Sequence, residues 1–71
     1  METFRLREGE EFIRLGQLLK ASGLAENGGE AKELIQDGLV TVNGETETRR
    51  GRKLYNGDKA AYDGREIQIE K

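Results

Sequence analysis

The chain has 71 residues, room for one domain over 1–71, and contains neither cysteine nor histidine. Most zinc sites and most activated nucleophiles need one or both, and the single serine, Ser22, has no histidine to activate it, so neither a metal, a cofactor nor catalysis is expected. The net charge of −2 is unevenly spread: residues 23–47 hold six acids and one base, whereas residues 48–71 hold seven bases and four acids.

Thr3 to Arg7 alternates polar and apolar residues, which predicts a short half-buried strand. From Glu10 to Ser22 the spacing of Phe12, Leu15, Leu18, Leu19 and Ser22 predicts a helix with one apolar stripe. Glu10 and Glu11 suit its N-terminal end, Lys20 its last turn, and Gly23 its termination. A second helix starts at Asn27-Gly28-Gly29-Glu30, where the asparagine can cap the amide of Glu30 and the glutamate can reach back to Asn27. Ala31, Leu34 and Ile35 form its narrow apolar stripe, and Gly38 ends it.

Period two follows. Leu39 to Asn43 reads as a strand whose valines share a face, and Asn43-Gly44 signals a tight turn. Glu45 to Arg50 reads as a strand with no apolar face, expected at a sheet edge or projecting from the body. Leu54 and Tyr55 return to the core, Asn56-Gly57-Asp58 turns, and Lys59 to Tyr62 forms a strand. Asp63-Gly64 leads into a last strand, Arg65 to Ile69, with both isoleucines on one face. No apolar run nears the ~18 residues of a membrane span and no export signal is visible, so a soluble, cytoplasmic chain is expected.

The segment Glu47-Thr48-Arg49-Arg50-Gly51-Arg52-Lys53 concentrates positive charge in this acidic chain. Guanidinium forks beside a threonine hydroxyl suit phosphate oxygens, and each phosphate neutralised releases a counterion. The bland alternative is a solvated run balanced by Glu45 and Glu47. Gly28-Gly29 at a helix start offers free amides to an anion, with Lys32 one turn on, though a flexible capping turn explains the same pair. Phe4 and Phe12 fall on apolar faces, and neither tyrosine interleaves with the basic run. Recognition by shape and phosphate is therefore favoured over base stacking. Glu30, Glu33 and Asp37 read as a solvated acidic face rather than as metal ligands.

With these residues in view, the stretch from about Leu15 to Tyr62 resembles the alpha-L RNA-binding motif, the module named after ribosomal protein S-four. The resemblance rests on Leu18-Leu19-Lys20, Gly23-Leu24-Ala25, Glu30-Ala31-Lys32, Leu34-Ile35, Gly38, Val40, Val42 and Asn43-Gly44 in that order. The ending from Asn43 to Asp58 looks most like its small free-standing bacterial members, the YbcJ/YaaA-like group. The resemblance implies an α+β fold, a helix-turn-helix-like pair packed on a small, mostly antiparallel sheet. It implies a monomeric, non-catalytic binder of structured ribosomal or transfer RNA, with possible association to the ribosome. Carried over, it nominates Asn27, Gly28, Gly29 and Lys32 on the helix side, with Lys20 at the margin. Asn43, Thr48, Arg49, Arg50, Arg52 and Lys53 are nominated on the hairpin side. One departure stands out: many members carry a base where Gly28 stands, and more where Glu33, Gln36 and Asp37 stand. Two rivals remain: an adaptor docking a basic protein on Glu26, Glu30, Glu33 and Asp37, and DNA binding by the helix pair, which those acids would oppose.

Overall fold

Where the sequence changes from period two to period three or four, the backbone changes with it. The computed structural model describes residues 2–71. Its elements are β1 Glu2–Arg5, β2 Phe12–Arg14, α1 Leu15–Ala21, α2 Gly28–Gln36, β3 Thr41–Val42, β4 Glu45–Thr46, β5 Lys53–Tyr55, β6 Lys59–Tyr62 and β7 Arg65–Glu70. Five strands form one sheet in the order β1-β7-β6-β3-β4, and β2 and β5 form a separate antiparallel ribbon. Only the β1–β7 pair is parallel, so the sheet is mostly antiparallel, as expected. Both two-residue hairpin turns, Asn43-Gly44 and Asp63-Gly64, place their central residues at positive φ, the twist that lets adjacent strands pair closely.

The two helices pack on this sheet. Leu15, Leu18 and Leu19 of α1 and Ala31 and Ile35 of α2 are completely buried. They share one cluster with Val40, Val42, Leu54, Ala60, Ile67 and Ile69. Burying each large aliphatic side chain is worth roughly 1.5–3 kcal/mol, and this single cluster is what holds so small a domain together. Ion pairs between Glu2 and Arg65, and between Glu11 and Lys71, tie the first residues to the last at the surface.

Four expectations need correction. The first helix begins at Leu15, not near Glu10, because Phe12-Ile13-Arg14 pairs with Lys53–Tyr55 as a strand. Phe12 therefore lies on the ribbon and not on the helix stripe. Strand β4 stops at Thr46, and Glu47 turns inward instead of extending a projecting strand. Tyr55 is 47% exposed, since its neighbour Leu54 takes the core side of the ribbon. Finally, the Glu30 carboxylate accepts from the Glu26 amide at 3.2 Å rather than from Asn27, while Asn27 caps the Glu30 amide at 2.8 Å as predicted.

Helix α2 ends in a paired closure: the Leu39 amide donates to the Leu34 carbonyl and the Gly38 amide to the Ile35 carbonyl. Gly38 has φ +75°, and a Cβ added there would meet only Thr46 Cγ2 at an ordinary 3.6 Å. The cost of Gly38→Ala is then conformational, about 1–2 kcal/mol, without loss of core contacts. Chemical denaturation should show a lower midpoint with an unchanged slope; an unaltered midpoint would mean the helix can end without the left-handed residue.

Candidate nucleic-acid interface

The centre of the basic segment is an acid. Glu47 is buried, at 6% exposure, and its carboxylate accepts from the Arg49 amide at 2.9 Å and from Arg49 Nε and Nη2, both at 3.0 Å. Arg52 Nη1 adds a fourth bond at 2.8 Å. Hydrogen bonds from Arg49, then from Arg52, hold this carboxyl far below the usual carboxylate range against the opposing effect of burial. The alternative of a run balanced by nearby acids thus describes half of the segment, with Glu47 and not Glu45 as the counter-charge.

So folded, the segment turns its carbonyls towards α1. The first amides of a helix have no partner inside it. Here the Leu15 amide donates to the Arg52 carbonyl at 2.8 Å and the Gly16 amide to the Arg50 carbonyl at 3.0 Å. Arg14 Nη1 reaches the Gly51 carbonyl at 2.9 Å. A Cβ on Gly16 would stand 2.6 Å from Arg50 Cγ, so only glycine allows Arg50 to lie against the helix.

Between this loop and the helix pair lies an open cleft of about 390 Å³. Arg14, Lys20 and Arg50 line it, together with Gln17, Ala31 and the backbone at Gly16, Gly28 and Gly51. Every charged residue in the lining is a base. Among the described residues, Lys20 and Arg50 form no ion pair, so their charge is unspent within the chain.

The nominated residues divide by position. Lys20, Gly28 and Arg50 meet in the cleft. Arg49 keeps a largely exposed side chain beside Glu47, and Thr48 is exposed next to it. The Arg52 side chain is less open, at 32%, and is engaged with Glu47. Asn27 Oδ1 is occupied as the cap of Glu30, with Gly29 beside it, and Lys32 is exposed further along α2. Asn43 lines a different concavity with Thr41, Gly44 and Lys59. Its side-chain amide bonds Asp58 Oδ1 at 3.0 Å and accepts from the Lys59 amide at 2.9 Å, which fastens β3 to the start of β6. Lys53 lies outside the cleft lining, on the β2–β5 ribbon, its Nζ 4.9 Å from the centre of the Phe12 ring. The sequence reading missed Arg14, Gly16, Gln17 and Gly51. One signal was available: a glycine inside an apolar helical pattern costs about 1 kcal/mol and marks a close approach.

Glu47→Gln tests whether the carboxylate organises the loop. Because its folded pKa is depressed, its contribution is complete above the ordinary value of 4.5 and declines as pH falls below it, where the unfolded chain binds a proton that the folded loop does not. Glu47→Gln should be less stable than the native chain at neutral pH, and the gap should narrow in acid below that value. Thermal unfolding across pH reads this directly; a gap that stays constant into acid would show that the charge is not what holds the loop.

The profile of the S4 domain family matches residues 4–70. The probable ribosome maturation protein RlbA of Bacillus subtilis (strain 168) is 46% identical over 54 residues, covering 76% of each chain. The putative RNA-binding protein YbcJ of Escherichia coli (strain K12) is 36% identical over 69 residues, 97% of each chain. The solution structure of YbcJ from E. coli, described as revealing an αL motif involved in RNA binding, superposes with a TM-score of 0.72 at 35% identity. That superposition covers 100% of this chain and 89% of YbcJ. With the family profile spanning nearly the whole chain and YbcJ similar over 97% of its length, the chain belongs to the S4 domain family.

Proposed function

We propose that this chain is a non-catalytic, single-domain binder of structured RNA, of the ribosomal or transfer class, and that it works as a cytoplasmic monomer. The observation that carries the reading is the cleft: an acidic protein has walled it with three bases and no carboxylate. Lys20, Arg14 and Arg50 would neutralise backbone phosphates, while Gly28 lets a phosphate approach the start of α2. Arg49 and Thr48 extend the site along the loop, and Lys32, with Asn27 and Gly29, forms its far edge. Arg52 acts by positioning, through Glu47. Asn43 holds the sheet beneath, and Lys53 meets RNA from the adjoining ribbon. The names of RlbA and YbcJ support RNA as the ligand and the ribosome as its setting. Among the described residues no helix is long and apolar enough to cross a membrane.

Titration with purified ribosomal and transfer RNA at several salt concentrations tests the proposal. Affinity should fall steeply with salt, and Arg50→Ala should weaken binding about tenfold or more while flattening the salt dependence by about one unit of slope. The double variant Glu33→Ala/Asp37→Ala should bind at least as well as the native chain. Equal binding by the native chain and Arg50→Ala, with equal salt slopes, would remove the cleft from consideration.

Gly16→Ala is a subtler probe of the same site. The added methyl must displace the Arg50 side chain, yet alanine is the better helix former. Affinity for RNA should drop and unfolding stability should fall with it, because the clashing Arg50 Cγ adjoins the main chain that accepts from the Gly16 amide. A stable Gly16→Ala chain with native affinity would show that the seating of Arg50 is immaterial.

A further inference from the structure

The β2–β5 ribbon presents two different faces. Its pairing sets Phe12 opposite Tyr55, Ile13 opposite Leu54 and Arg14 opposite Lys53. Leu54 is completely buried and Ile13 packs against the core, so the alternate residues share the outward side. That side carries two aromatic rings and two cations. The ring centres of Phe12 and Tyr55 stand 5.7 Å apart, tilted by 51°. Arg14 Cζ lies 5.6 Å and Lys53 Nζ 4.9 Å from the centre of the Phe12 ring. Both cations thus gather on Phe12, and Tyr55, at 47% exposure, keeps an open ring. The core does not require an aromatic there, because Leu54 and Ile13 already close that side of the ribbon.

Arg14 belongs to both surfaces: it lines the cleft and it lies over Phe12. A strand whose phosphate rests on Arg14 would bring its next nucleotide to the ribbon. The geometry points to the ribbon as a stacking site for one unpaired base, with Tyr55 as the platform, Phe12 as its buttress, and Arg14 and Lys53 pairing the flanking phosphates. Base-on-ring stacking favours no particular base, so this site selects RNA by the presence of an unpaired nucleotide beside a folded segment. The inference rests on the proposal that the cleft holds RNA phosphates, and it adds which RNA the chain prefers.

Two synthetic RNAs separate the ideas: a blunt-ended duplex, and the same duplex with a short unpaired adenine overhang. The native chain should bind the overhang form about fivefold or more tightly. Tyr55→Ala should lose that preference while keeping its affinity for the blunt duplex, and Tyr55→Phe should retain it. In a Tyr62→Phe background, Tyr55 is the only tyrosine in this tryptophan-free chain, and its emission should be quenched by the overhang form alone. If the native chain binds both RNAs with equal strength, or Tyr55→Ala lowers both equally, the stacking site is wrong and the cleft stands. If the native chain binds neither RNA, both proposals fall.

Discussion

An ionised carboxylate inside a protein is tolerable only when it is fully hydrogen-bonded, and Glu47 meets that condition with donors from its own neighbours. Without it, four bases within five residues would repel one another and hold no defined shape. With it, Arg49 and Arg52 converge, the chain turns at residues 49–52, and the loop's carbonyls face a helix that needs them. Helix α1 is only seven residues long, too short to be stable by itself. It persists because its first amides find Arg50 and Arg52 and because three leucines anchor its other side. The basic segment is thus a structural cap as much as a source of charge.

This arrangement explains how an acidic protein can offer a polyanion a favourable surface. Net charge is a property of the whole chain, whereas a phosphate feels what lies within a Debye length, about 8 Å at physiological ionic strength. The lining of the cleft presents bases and glycine backbone. Of the acids of α2, Glu33 is exposed, where salt screens it, and Glu30 is half-buried, its carboxylate accepting from the Glu26 amide. Among the arginines of the segment, labour is divided. Glu47 takes up Arg49 and Arg52 and leaves Arg50 without an acidic partner. A carboxylate inside the basic loop thus leaves one cation free to line the cleft.

Legibility in the sequence followed the range of the interactions involved. Apart from the reach of the Glu30 carboxylate, helix α2 could be read because its cap at Asn27, its apolar stripe and its left-handed exit at Gly38 are all local. The tight turns could be read for the same reason. Strand β2 could not, since the spacing of Phe12 to Leu15 imitates a helix and its partner, β5, lies far along the chain. Glu47 carries no sign of burial in a run where every residue is polar; its side-chain bonds to Arg49 and Arg52, with its amide bonded to the Val40 carbonyl, draw it inward. The cleft lies between those extremes. Lys20, Gly28 and Arg50 were legible as charge and as a helix start, while Arg14 and Gly16 join them only through the docking of the loop. Tyr55 was misplaced because it was sent to the core with its neighbour Leu54, whereas adjacent residues of a strand face opposite sides.

The position of β7 has a consequence for how the protein is made. This last strand is not at an edge: it lies between β1 and β6, and it supplies Ile67 and Ile69 to the core. Among the described residues, strand β1, made before the other strands of the sheet, has no sheet neighbour except β7. Until residues 65–70 have been made, β1 has nothing to pair with and the aliphatic cluster lacks one wall. The helix pair and the β3–β4 hairpin can form early from local contacts, but closure of the sheet must wait for pairings at the greatest separation in the chain. Such non-local contacts slow folding and make it an all-or-none event. The cleft and the finished fold therefore arise together, and a nascent chain still lacking its final strand has neither.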